Sequence, residues 1–146
     1  NDPEGPGAWV MLIGVDGVKL PEAKQLASAK LAFHVWEAHD KANMEAAAVL
    51  LKEPFEAGKP YDFKGLGDIV GSTVVKQGGG RDKPFDPPLR YEIDVTKAVR
   101  AWIAGEKPCG LALRIVPNRG VDDGWTVRFT PSKDKLPELE IAAYDK

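Results

Sequence analysis

Apolar and polar positions alternate most regularly in and just before residues 91–117, YEIDVTKAVRAWIAGEKPCGLALRIVP. Leu89, Tyr91, Ile93 and Val95 share one face of an extended segment, and Arg90, Glu92 and Asp94 share the other. The period then changes. Thr96 stands where a helix N-cap belongs, Val99, Trp102 and Ile103 recur at helical spacing, and Gly105 ends the helix. Period two returns with Leu111, Leu113 and Ile115 inward and Ala112, Arg114 and Val116 outward. A strand, a short corner helix near 96–104 and a second strand are predicted, each with one apolar face.

Similar patterns recur along the rest of the chain. Residues 9–15 are apolar enough for a buried strand, and residues 29–37 alternate clearly. In the latter, Leu31, Phe33 and Val35 face one way and Ala32, His34 and Trp36 the other. Residues 44–52 satisfy two readings. Asn43 could cap a helix through Glu45, Ala46, Ala47 and Ala48, whereas the flanking turns favour a strand, and we read a strand that ends by Pro54. Residues 61–71 read as a loop and 72–76 as a strand. Gly78, Gly79, Gly80, Pro84, Pro87 and Pro88 make a long connection. Residues 125–130 alternate, with Trp125, Val127 and Phe129 inward and Thr126, Arg128 and Thr130 outward, and residues 139–144 close the pattern. Short strands separated by glycine and proline predict an all-β fold, an antiparallel β-sandwich or jelly roll with one corner helix. Residues 1–7 (NDPEGPG) read as a tail or linker and residues 8–146 as a single domain.

Composition narrows the function classes. The chain has 146 residues, long enough to bury roughly 68–70% of its unfolded surface without a disulfide or metal. Lysine and arginine number 20 and aspartate and glutamate 22, giving a formal charge of −2 and arguing against a general nucleic-acid binder. Cys109 is the single cysteine and cannot bridge within the chain. No apolar run approaches the roughly 20 residues of a membrane-spanning helix.

Four segments carry a family resemblance. Residues 93–102 (IDVTKAVRAW), 110–115 (GLALRI) and 129–141 (FTPSKDKLPELEI) resemble the C-terminal half of a DNRLRE domain, and residues 11–35 are similar to its opening. Gly14 and Val15 stand where that family usually carries arginine and phenylalanine, and Pro108-Cys109 where it carries asparagine and an aromatic residue. The resemblance implies a β-sandwich appended to a secreted bacterial protein, facing neighbouring domains of the full-length chain. It further implies carbohydrate binding, with acidic polysaccharides such as alginate among the expected ligands.

Candidate chemistry centres on the outward faces of the strands. Arg90, Arg114 and Arg128 all fall out of phase with the core, and planar guanidinium groups suit carboxylates or sulfates along a sugar chain. Lys97, Arg81 and Arg119 would extend such a patch. Trp36 is an aromatic opposite the core residues of its strand, able to stack on a sugar ring or to pack under a loop, and His34 shares its face. The competing reading pairs the arginines with Glu92, Asp94 and Glu140 across strands. Trp102 and Trp125 are in phase with core residues.

Enzymatic signatures are thin. His34, Glu37, His39 and Asp40 suggest a metal, but the odd separation of the two histidines puts them on opposite faces of a regular strand. Asp122 and Asp123 between Gly120 and Gly124 could supply oxygens to calcium, though Asp-Gly is ordinarily a turn. The glycines before Arg81 lack the lysine and helix of a phosphate loop. Ser72, Ser132 and Cys109 have no base at a recognisable spacing. We therefore expect a non-catalytic module without a cofactor that binds an anionic polysaccharide; the alternative is a structural or adhesion domain that meets other proteins.

Overall fold

The alternating segments pair into two antiparallel sheets. The computed structural model describes residues 9–15, 17–39, 44–56, 58–61, 63–76, 78, 85, 87–116, 126–129 and 135–144, and for 9, 10, 39, 63, 116 and 126–129 the backbone alone. The strands are β1 (Trp9–Ile13), β2 (Leu26–His39), β3 (Met44–Leu51), β4 (Leu66–Val75), β5 (Leu89–Asp94), β6 (Leu111–Val116), β7 (Thr126–Phe129) and β8 (Glu138–Ala143), with helix α1 (Thr96–Ile103) between β5 and β6. The first sheet has the order β1-β6-β3-β4. The second has the order β5-β2-β7, and β8 pairs with the N-terminal part of β2.

One core joins the sheets. Leu31, Phe33, Val35 and Ile93 from the second sheet meet Met44, Ala46, Ala48, Leu111, Leu113 and Ile115 from the first. Trp102, on the apolar stripe of α1, belongs to this core. Its buried Nε1 has no hydrogen-bond partner. The chain is therefore a β-sandwich with a corner helix, as the alternation predicts. Among the described residues no helix is long and apolar enough to cross a membrane.

Three local details differ from the sequence expectations or decide between them. Residues 44–51 form a strand despite their helix propensity, because β3 lies between β6 and β4 and bonds along both edges. Residues 66–71, expected as loop, already belong to β4. Their glycines permit close approaches: a Cβ at Gly67 would lie 2.6 Å from the Leu50 carbonyl oxygen, and one at Gly71 would collide with that of Asp94. Thr96 is the first residue of α1, not its cap. Its Oγ1 accepts from Ala29 N (3.0 Å), while its own N–H donates to Asp94 Oδ1 (2.9 Å).

The far end of α1 behaves as predicted. Gly105 has φ +115°, Gly105 N donates to Trp102 O (3.1 Å) and Glu106 N to Ala101 O (3.1 Å), the paired bonds of a Schellman motif. β4 and β5 then approach each other at the sandwich edge, where Lys76 N donates to Tyr91 Oη (2.9 Å) and Tyr91 stacks on Phe33 at 5.5 Å.

A second, smaller core lies outside the first sheet. Val49, Leu51, Cys109 and Ala112 are covered by Leu12, Phe55, Tyr61 and Leu66. Phe55 and Tyr61 thus fold over that sheet.

Candidate functional site

Four of the candidate residues gather around the C-terminal half of β2. The register pairs Val35 with Phe129 and Glu37 with Arg128, so Trp36 is the extra residue of a β-bulge. After the bulge Ala38, not Glu37, rejoins the core. Trp36 is half-buried next to His34, and Arg90 on β5 stands directly opposite His34. Arg128 occupies the register position opposite Glu37.

Backbone contacts hold the bulge. Trp36 O accepts from Phe85 N (2.8 Å), and Ala38 and Gly78 exchange two hydrogen bonds of 2.9 Å each. The Phe85 ring lies so close to Gly78 that a Cβ there would be 2.7 Å from Cζ, which explains a glycine at this position. The bulge also reverses the parity on which the separation of His34 and His39 rested. His34 Nδ1 is buried without a hydrogen-bond partner. Glu37, at 6% exposure, is the buried charged residue among those described.

Arg90 is engaged by carboxylates. Its Nη2 donates to Glu92 Oε2 (2.9 Å) and to Glu140 Oε1 (2.9 Å), and its Nε donates to Glu92 Oε2 (3.3 Å). Arg90 lies on β5 and Glu140 on β8, the strands flanking β2. Their ion pair therefore crosses β2 above Ala32, which is 1% exposed although it faces away from the core. Lys30 Nζ adds a contact to Glu92 Oε1 (3.4 Å). The hydrogen bonds that Arg90 donates to Glu92 and then to Glu140 raise its pKa, and those that Glu92 accepts from Arg90, helped by the Lys30 charge, lower that of Glu92. Asp94 is lowered by its hydrogen bonds with Thr96. Among the described residues this surface is not basic: Lys30 and Arg90 stand among Glu92, Asp94, Glu138 and Glu140.

The arginine patch does not assemble in the way the strand phases alone allowed. Arg114 lies on β6 in the first sheet, opposite Val10 and Ala47, and half-buried. Because the sheets pack through their inner faces, the outward residues of one point away from those of the other. Arg114 and Arg90 thus occupy opposite sides of the sandwich. Lys97 is exposed on the first turn of α1, beyond the Asp94 end of β5. From Asp94 to Arg90 the strand alone runs roughly 13 Å. The face thus brings together His34, Trp36 and Arg90 with the backbone position of Arg128, and leaves out Arg114 and Lys97.

Several candidates fall outside the described residues: Asp40, Arg81, Arg119, Asp122, Asp123, Trp125 and Ser132, and the side chain of His39. Among the described residues no group of His, Cys, Asp and Glu is arranged to hold a metal. Cys109 is buried in the smaller core, with Sγ 3.5 Å from Lys52 O.

Sequence reasoning missed a cleft of about 360 Å³ in the segment 52–65, lined by Glu53, Pro54, Pro60, Tyr61, Lys64 and Gly65. Proline and glycine there read as punctuation. The usable signal was a pair of aromatics, Phe55 and Tyr61, in a segment with no strand period. No family model matches this chain, and no curated protein matches it.

Proposed function

We propose that this domain is a non-catalytic carbohydrate-binding module of a larger extracellular bacterial protein, holding polysaccharide on the outer face of the β5-β2-β7 sheet. The carrying observation is the bulge at Trp36. Trp36 shares the outward face with His34, with Arg90 opposite His34 and the backbone of Arg128 in the register position opposite Glu37. An indole and a guanidinium group on one sheet face suit a sugar ring and a carboxylate respectively. The resemblance to DNRLRE domains supports the same reading, including secretion and an acidic polysaccharide as ligand.

One observation favours a second reading, a structural or adhesion domain that contacts protein. The Arg90 guanidinium already bridges Glu92 and Glu140, so a polyanion must compete with two carboxylates of the same face. Titration with alginate, pectate and neutral glucans at two salt concentrations separates the readings. The module reading expects salt-sensitive binding to an acidic glycan. Trp36→Ala and Arg90→Ala should each weaken it by about tenfold, whereas Arg114→Ala, on the opposite sheet, leaves it unchanged. If no glycan alters melting or mobility, the adhesion reading replaces it. Turnover of a glycan by the isolated domain would overturn both.

A further inference from the structure

The cleft lined by Glu53, Pro54, Pro60, Tyr61, Lys64 and Gly65 lies on the other side of the sandwich from the sheet face around Trp36, and contacts within the chain hold its walls. Lys52 N donates to Gly65 O (2.7 Å), tying the two ends of the segment together. Phe55 and Tyr61 meet edge to face, with ring centroids 6.4 Å apart at 86°, above Leu51 and Ala112. Tyr61 Oη donates to Glu53 O (2.7 Å). Gly65 completes the clamp: a Cβ there would stand 2.5 Å from Tyr61 Oη and 2.9 Å from Cζ, so the tyrosine occupies the space that any larger residue would take. Pro54 and Pro60 are conformationally restricted by their rings.

We propose that this cleft is a binding site for an uncharged sugar, taking about one or two rings, as its volume lies at the lower end of the range for small-molecule sites. The C–H face of a pyranose matches the apolar surfaces of Tyr61, Pro54 and Pro60. Glu53 supplies carboxylate oxygens to accept hydroxyl protons, and Lys64 lines the same cleft with a cation. Their opposite charges favour a ligand with many hydroxyl groups and no net charge over a polyanion. A pinned tyrosine and two prolines lose little conformational freedom on binding, which favours recognition in a shallow cleft. The site differs in position and ligand charge from the sheet face proposed above, and either can fail without the other.

The test is amide chemical-shift mapping of the whole domain with neutral β-1,4-linked glucan, xylan and mannan tetrasaccharides at millimolar concentration, followed by titration of variants. At least one of these ligands should move the amides of Glu53, Tyr61, Lys64 and Gly65. Glu53→Gln, which keeps the backbone carbonyl that holds Tyr61, should weaken that ligand about tenfold with the melting temperature unchanged, while Trp36→Ala has no effect. Shifts confined to residues 34–36 and 88–92, with affinity lost in Trp36→Ala, would overturn the cleft and leave the sheet face standing. Silence with every neutral oligosaccharide overturns the cleft whatever alginate does.

Discussion

Asp94 shows how much one side chain contributes beyond its place in a strand. It is an outward residue of β5, yet its Oδ1 accepts from Thr96 N at the start of α1. Removing that acceptor in Asp94→Ala should cost about 1 kcal/mol, the usual value of a helix-start carboxylate, and Asp94→Asn, which retains an oxygen, should cost less. Urea unfolding at pH 7 checks both. The pH dependence has a definite sign. The folded pKa of Asp94 lies below its ordinary value, so its contribution is complete above the carboxylate range and is lost as pH falls through the lowered pKa. Melting temperature should therefore hold steady from neutrality to about pH 5 and fall below about pH 4, less so in Asp94→Ala. The sequence showed that Arg90, Glu92 and Asp94 point outward. Its cross-strand pairing of the arginines with Glu92 and Glu140 holds for Arg90, but only the structure places β8 on the far side of β2 and an alanine beneath the guanidinium.

Among the elements, β4 departs furthest from its sequence reading. Glycine is a poor strand former, and residues 66–71 contain Gly67 and Gly71, so period and propensity both favoured a loop. Tertiary contact supplies the missing reason. Gly71 lies against the Asp94 carbonyl and Ile93, where the edges of the two sheets meet. Gly71→Ala should push β4 from β5 and cost about 1–3 kcal/mol or more by overpacking. A denaturation midpoint equal to that of the parent would show that the edges separate freely. The helix makes the opposite case. Its stripe of Val99, Trp102 and Ile103 and its closing Gly105 were legible because capping and amphipathicity are local properties. Gly105→Ala should cost about 1–3 kcal/mol at φ +115°.

The whole molecule has two cores of different rank, and they should respond differently to truncation. Phe33, fully buried between the sheets and stacked on Tyr91, should cost about 3–5 kcal/mol when replaced by alanine. Phe55→Ala should open the smaller core instead: Cys109 becomes reactive toward a thiol reagent well below the unfolding transition, while the main sandwich stays folded. A reaction rate unchanged from the parent would show that Phe55 does not guard that core. The sequence by itself determined the strands with a strict period of two, the corner helix and its end, and which residues of β5, β6 and the part of β2 before its bulge face the core. Those features follow from interactions within a few residues. Only the tertiary structure decided which strands share a sheet, and so placed Arg114 and Arg90 on opposite sides of the sandwich. It also set the bulge after which Ala38, not Glu37, returns to the core, and the clamp of Glu53, Tyr61 and Gly65 that shapes a cleft. Each of these depends on backbone partners far apart in the chain, and the pattern of apolar positions within one strand carries no record of which strand lies beside it.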